Sequence, residues 1–332
     1  MNGADLFVRE LIDRGVSYIA TLCGHGQDPL YEACKRAGLK LVDVRNEQAA
    51  SYIAEVTGRL SRQPGVCAVS SGVAHANALT GVVDAHIDGA PMLLVTGCGP
   101  TETIGLGHFQ DFPQVAMAEP VCKYAKCMDR AERIPQYVHE AFAAATAPRP
   151  GPVHLTFPLD IQNADVDPDA VIQVHESGPV RSLGDPDQID EAARLISNSN
   201  RPLLIAGSGL FYAEGEVALR DLAVGLSIPV VVPNWDRGSV PEPIEPFIGM
   251  VGAVTGGPRL LPDADLVLMI GARCDHRVGY LQSPAVHKDA KVVSVDADPQ
   301  QINQGAGAHV RILGDPRSVL NQLMDACTAL GI

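Results

Sequence analysis

Glu47 lies in Val42-Asp43-Val44-Arg45-Asn46-Glu47-Gln48-Ala49-Ala50, where an apolar run gives way to a helical pattern. A carboxylate among small and apolar neighbours is costly to bury without a dedicated partner, and with one it can hold or pass a proton. An acid in the first turn of a helix is also favoured by the helix dipole, and Asn46 fits an N-cap. A capping role therefore stands beside the chemical one. Downstream comes Gly65-Val66-Cys67-Ala68-Val69-Ser70-Ser71-Gly72-Val73-Ala74-His75-Ala76-Asn77, a second buried run that breaks into a glycine turn and another helix. Glycine lets the backbone approach a ligand closely, and a helix amino terminus offers free N–H donors. One acid and one glycine-rich turn thus fall at neighbouring strand ends, where open α/β sheets bind ligands.

The elements that must hold these residues alternate regularly. Short apolar runs predict strands over 17–22, 40–44, 66–70, 92–96 and 153–157, with helices over 4–14, 29–37, 47–60, 77–87 and 131–145 between them. This is the rhythm of a doubly wound, mostly parallel sheet. Residues 163–186 carry Asp, Pro, Gly and Ser without helical periodicity and predict a linker. The rhythm resumes with a helix near 187–197, strands at 202–206, 229–232, 266–270 and 291–295, and a last helix over 316–329. Two α/β domains are expected, 1–162 and 187–332, without an obvious sequence repeat between them.

A length of 332 residues fits two domains of ordinary size, and 46% hydrophobic residues suffice for a core in each. The formal charge of −14 disfavours non-specific binding to nucleic acid or anionic lipid. Eight cysteines form no Cys-x-x-Cys pair and no zinc-finger spacing, so a reduced, cytoplasmic chain is expected. The amino terminus lacks a basic region followed by an apolar core, and no apolar run approaches the ~20 residues that span a bilayer. Neither a signal peptide nor a membrane segment is expected.

The motifs resemble those of thiamine diphosphate enzymes. Arg45-Asn46-Glu47-Gln48-Ala49-Ala50 is similar to the Arg-His-Glu-Gln-Ala-Ala motif of acetolactate synthases, with Asn46 in place of the histidine. The resemblance implies that Glu47 hydrogen-bonds a ring nitrogen of the cofactor's aminopyrimidine and switches the cofactor on, a role that a buried acid with a raised pKa would suit. Ser70 to Asn77 resembles the family's Ser-Gly-Pro-Gly-Ala-Thr-Asn turn, from which Val73, Ala74 and His75 depart. It implies cofactor contacts for Gly24, Ser71, Gly72 and Asn77, while His75 is either a structural residue or part of the pocket wall. Gly107-His108-Phe109-Gln110-Asp111 resembles the synthases' Ala-Phe-Gln-Glu segment, ahead of Pro120-Val121-Cys122-Lys123, which resembles Arg-Pro-Val-Thr-Lys. Phe109 and Gln110 would then line the substrate space, where a neutral amide orients a carbonyl or carboxylate; the other reading is a surface loop with a polar tip. Gly24-His25-Gly26-Gln27 matches a family loop that faces substrate. His25 becomes a candidate acid–base group beside Gly26, against the alternative of a solvated loop histidine.

In the second half, Gly271-Ala272-Arg273-Cys274-Asp275-His276-Arg277 resembles the Gly-Ala-Arg-Phe-Asp-Asp-Arg segment of flavin-containing synthases. With Gly207, Gly209 and Asp296 at other strand ends it implies a nucleotide crevice for FAD or ADP, since arginine suits a pyrophosphate and a strand-end Asp a ribose hydroxyl. Ordinary surface salt bridges would explain Arg273 and Arg277 equally. The resemblance covers the pyrimidine-binding and central domains. Nothing in the 332 residues matches the Gly-Asp-Gly…Asn metal motif of the family's diphosphate-binding domain; Gly314-Asp315-Pro316 lacks the second glycine. No metal ligands are therefore expected in this chain.

The resemblance thus implies the larger subunit of a split carboligase or decarboxylase acting on 2-keto acids, with a truncated piece of a longer enzyme as the other reading of the missing domain. A small partner subunit would hold the diphosphate and Mg2+, in a hetero-oligomer built on a dimer. Leu159, where synthases tend to carry Lys, leaves benzaldehyde-lyase-like acyloin chemistry open. The departures at Asn46, Val73 and His75 leave open a non-catalytic nucleotide-binding or regulatory subunit descended from such an enzyme.

Overall fold

The computed structural model describes residues 1–175, 178, 180–236, 240, 244–251, 260–305 and 307–332. The chain divides into two compact units, Met1–Ser177 and Gly178–Ile332, and the division falls within the stretch 163–186. Residues 176, 177 and 179 of that stretch lie outside the described residues.

The first unit contains α1 (Gly3–Asp13), β1 (Tyr18–Leu22), α2 (Asp28–Ala37), β2 (Lys40–Asp43), α3 (Glu47–Ser61), β3 (Gly65–Val69) and α4 (Val73–Asp88). It continues with β4 (Met92–Cys98), α5 (Gln114–Ala118), β5 (Tyr124–Cys127), α6 (Ile134–Thr146), β6 (Pro152–Pro158) and α7 (Leu159–Asn163). Its sheet runs β2-β1-β3-β4-β6-β5, and every adjacent pair is parallel. Helices cover both faces, so β3 and β6 are buried along their whole length and read as continuous apolar runs. One face packs Leu6, Phe7 and Leu11 of α1 and Val138 and Phe142 of α6 against Ile19, Leu93, Leu155 and Phe157. The other packs Ala50 and Ala54 of α3 and Ala78, Val82 and Ala85 of α4 against Cys67, Val69, Met92 and Leu94. Small residues on α3 and α4 let those helices lie close to the sheet and to each other.

The second unit contains α8 (Pro186–Asn198), β7 (Pro202–Ala206), α9 (Ser208–Tyr212), α10 (Glu216–Gly225), β8 (Val230–Pro233) and β9 (Phe247–Val251). After these come β10 (Leu266–Ile270), β11 (Lys291–Asp296), α11 (Pro299–Ile302), β12 (Val310–Leu313) and α12 (Pro316–Ala329). Its order β12-β11-β10-β7-β8-β9 is again wholly parallel. The expected doubly wound α/β class is what the structure has. It adds β5, β9 and β12, none of which the apolar runs pointed to. In each sheet the chain first builds outward on one side and then on the other, leaving a switch point between β1 and β3 and between β7 and β10. Crevices for ligands form at the carboxyl ends of strands at such points.

Candidate active site

At the first switch point the backbone leaves β2 at Asp43 and enters α3 through Asn46, whose side chain accepts from the Gln48 amide at 2.8 Å. Asn46 is therefore the cap, and Glu47, the next residue, is left to other work. Its carboxylate is half-buried, and Oε2 accepts a hydrogen bond from Asn77 Nδ2 on α4 at 2.6 Å. No cation pairs with it among the described residues, and no hydrogen bond there reaches Oε1. Burial, and after it the charge of Glu47, push the Cys67 thiol well up, which sets the carboxylate beside β3. A carboxylate steadied by a neutral amide keeps one oxygen to accept an N–H from a ligand, a charge-assisted bond worth about 1.5–3 kcal/mol.

The glycine turn after β3 is built against a neighbouring loop. Gly72 has φ +56°, and a Cβ there would lie 2.9 Å from Gln110 Cβ, so only glycine fits both the conformation and the space. Gln110 Oε1 accepts from Ser71 Oγ at 3.1 Å, while Ser70 Oγ, 3.4 Å away, donates to the His25 carbonyl at 2.9 Å. Gly24 and Gly26 give the same close approach: their added Cβ atoms would meet Ser70 Cβ at 2.7 Å and the Cys98 amide nitrogen at 2.9 Å. His25 Nε2 lies 3.3 Å from His108 Nε2, and its ring meets Phe109 edge-on at 5.3 Å between centroids. Phe109 itself is 63% exposed. The structure thus gathers Gly24, His25, Gly26, Ser71, Gly72, Phe109 and Gln110 beyond the carboxyl ends of the central strands β1, β3 and β4. The Glu47–Asn77 pair joins this group through α4, which carries Gly72 at its N-cap and Asn77 in its second turn.

His75 lies elsewhere. It is fully buried beneath the turn, with Nδ1 2.9 Å from Thr96 Oγ1, which is in turn 3.1 Å from His154 Nε2. Burial holds His75 down at about 4 and His154 well below its ordinary value, so both rings are neutral at pH 7. His75 belongs to the support of the turn, not to its open surface. The support extends through three buried glutamines that sequence reasoning passed over. Gln114 Oε1 accepts from the Gly72 amide at 2.9 Å, and its Nε2 donates to the Gly97 carbonyl at 3.2 Å. Gln27 Nε2 donates to the Val69 carbonyl at 2.8 Å, and Gln162 Nε2 to the Gly26 carbonyl at 2.6 Å. Thr96, His154 and Thr156 break apolar runs inside strands, and a polar residue in a fully buried strand is the signal that marks such a network.

Among the described residues, Glu55, Asp84 and Asp88 form the one cluster of three potential metal ligands, and Arg59 binds Asp88 there at 2.6 Å. It lies along α3 and α4, apart from the strand-end group, and an arginine in its midst supplies the positive charge.

In the second unit Gly207 and Gly209 follow β7, and their added Cβ atoms would meet Ala272 Cα at 2.3 Å and Gly271 Cα at 2.9 Å. The glycines serve contact between two loops. Arg277, expected to face a pyrophosphate, is instead buried. Its Nη1 donates to Asp236 Oδ1 at 2.6 Å and its Nη2 to Asp275 Oδ2 at 2.9 Å. Burial alone would raise the Asp275 carboxyl, but the hydrogen bonds and charge of Arg277 outweigh it and hold Asp275 low. Asp296 Oδ1 accepts from the Asp298 amide at 2.8 Å, turning the chain into α11, and Arg273 is half-buried just past β10.

Two family models match the chain: "Thiamine pyrophosphate enzyme, N-terminal TPP binding domain" over residues 1–117 and "Thiamine pyrophosphate enzyme, central domain" over residues 189–323. A probable acetolactate synthase large subunit of Methanocaldococcus jannaschii is 33% identical over 340 residues, covering 100% of this chain and 57% of the relative. The acetolactate synthase large subunit of Corynebacterium glutamicum is 33% identical over 338 residues, covering 99% and 53%. Human 2-hydroxyacyl-CoA lyase 1 is 29% identical over 326 residues, covering 98% and 56%. The chain spans a little over half the length of these curated relatives. No helix among the described residues is long and apolar enough to cross a membrane. Two matching models in the family's order, and relatives aligned along the whole chain, establish that this chain belongs to the thiamine pyrophosphate enzyme family.

Proposed function

We propose that this chain supplies the pyrimidine-facing half of a thiamine diphosphate site and acts on 2-keto acids, as a carboligase or decarboxylase resembling acetolactate synthase. The observation that carries this reading is Glu47, uncapped and unpaired with any cation among the described residues, steadied by Asn77 beside the glycine turn. Glu47 Oε1 would accept an N–H of the aminopyrimidine, and the backbone around Ser71 and Gly72 would face the ring. Thiamine diphosphate, when bound, supplies the electron sink for 2-keto acid decarboxylation and carbon–carbon bond formation. Gln110 has its Oε1 turned to Ser71, which leaves the Nε2 donor for a substrate carbonyl or carboxylate. His25 and His108, within hydrogen-bond reach of each other, form a pair able to hold or deliver one proton beside Phe109. The residues present fit the cofactor's pyrimidine end.

The diphosphate and Mg2+ fall to a diphosphate-binding domain that these 332 residues do not carry; in the split-enzyme reading a partner polypeptide brings it, in a hetero-oligomer with this chain as the larger subunit. Asn46 as a cap and His75 in the interior support catalysis over a non-catalytic regulatory role, since neither departure touches the carboxylate. The second unit acts as the central domain.

Glu47→Gln tests this reading. The amide oxygen still accepts from Asn77, but the negative charge is gone. With the partner present, 2-keto acid turnover should fall by about 100-fold or more with an unchanged melting temperature. Wild-type turnover in that variant would sink the proposal.

A further inference from the structure

At the second switch point a nucleotide would have to meet the turn after β7, where backbone amides and a cation commonly receive a pyrophosphate. The Ser208 and Gly209 amides and the Arg277 guanidinium are already engaged there. The Ser208 amide donates to Asp236 Oδ2 at 3.2 Å. The other oxygen of the same carboxylate, Oδ1, receives Arg277 Nη1 at 2.6 Å. Arg277 Nε lies 3.1 Å from both oxygens of Asp275, and Nη2 lies 2.9 Å from Oδ2. The room that glycines could leave for a phosphate is taken by backbone: Gly209 N donates to the Gly271 carbonyl at 2.9 Å, and a Cβ at Gly207 would lie 2.3 Å from that same oxygen. The Asp236 and Arg277 side chains are only 9% and 10% exposed, so this is an interior arrangement.

We propose that Asp236 is an internal anion seated where a nucleotide pyrophosphate would lie, and that this crevice is closed to FAD and ADP. One carboxylate takes both the backbone amide and the guanidinium that a phosphate would use. Two carboxylates around one guanidinium give this group of three a net negative charge, so a pyrophosphate placed on it meets repulsion as well as occupied donors. The Asp236–Arg277–Asp275 group instead ties the end of β8 to the segment following β10, doing for the fold what a bound nucleotide would otherwise do. The inference is independent of the role proposed for Glu47, because both elements lie in the second unit.

The test uses the full chain purified from flavin-replete cells, with absorbance for bound flavin and calorimetry with ADP, FAD and inorganic phosphate. The wild type should carry no flavin and give no binding tighter than a Kd of about 1 mM. Co-purified flavin, or micromolar binding of either nucleotide, would overturn the proposal. Asp236→Ala and Asp236→Asn empty or neutralise the seat, and at least one should bind ADP about 10-fold or more tighter than wild type, with phosphate competing. Folded variants, judged by circular dichroism, that gain nothing would remove Asp236 from the role assigned here. If neither variant folds, the wild-type measurement decides by itself.

Discussion

His75 and His154 share one hydroxyl, Thr96 Oγ1, inside the layer between α4 and the sheet. A lone hydroxyl can donate to one ring nitrogen and accept from the other while both rings are neutral, and burial keeps them so. The consequence for stability has a definite sign. With a folded-state value of about 4 for His75 against an ordinary 6.5, the unfolded chain binds a proton in that interval that the native chain does not. Stability from this residue is complete above the unfolded value and is lost as pH falls from about 6.5 towards about 4, by about 3 kcal/mol at the bottom of the window. His154, lowered in the same direction, adds to the slope. His75→Asn keeps an amide to meet Thr96 but does not titrate. Its urea midpoint should therefore change less between about pH 7 and about pH 5 than the wild type's. An unchanged pH slope would show that the proton is taken up elsewhere. Both roles of His75, wall or support, fitted the sequence. The helix register decides between them: with α4 starting at Val73, residues 74, 75, 78, 79 and 82 share its buried face. The expected start at 77 gave no such register, because Gly72 is an N-cap with no side chain to announce it.

Between α3 and α4 the decisive contact is glycine against serine. A Cβ on Gly81 would lie 2.3 Å from Ser51 Oγ and 2.8 Å from the Ser51 carbonyl carbon, and backbone cannot yield as a flexible side chain can. Since α3 carries Glu47 and α4 carries Asn77, this contact also sets the distance across which the 2.6 Å hydrogen bond forms. Gly81→Ala should cost about 1–3 kcal/mol by denaturant unfolding. Gly225→Ala, in contrast, meets only the far end of Met324 at 3.0 Å and should stay within about 1 kcal/mol of the wild type. Equal effects at the two sites would mean that the α3–α4 contact is slack. The central strands and long helices were legible because burial on both faces writes unbroken apolar runs. Three of the four edge strands were not: β9 alternates half-buried and exposed positions up to Val251, β12 alternates buried and exposed ones, and β5 carries Lys126 in the middle; only β2 was read. Glu47 and the glycine turn stood out by residue type and position, whereas Ser71 and Gln110 were reached only through the resemblance. The glutamines beneath them were not legible, since a buried glutamine and a surface one look the same in a sequence.

Each sheet and each hydrophobic cluster lies wholly within one of the two units, and the stretch between them lacks apolar periodicity in the sequence for that reason. Both units exceed about 150 residues, a size at which a chain buries roughly 70% of the surface its unfolded form exposes. The first unit closes its own core with α1 and α6, whose Phe7 meets Phe157 of β6 at 5.0 Å between ring centroids. The second closes its core with α8 and α12, whose Ile189, Ile196, Leu320 and Leu323 pack on Leu204, Leu268 and Ile312. Among the described residues each core draws its strands and buried helices from its own unit. Residues 1–177 and 178–332, produced separately, should therefore each show a cooperative melt by circular dichroism and dispersed amide resonances. The triad at Arg277 should persist in the second fragment, since Asp236 and Asp275 come from the same unit. A fragment that melts without cooperativity would mean that its core is completed by the other unit, and the boundary would then have to be redrawn as a hinge inside one folding unit.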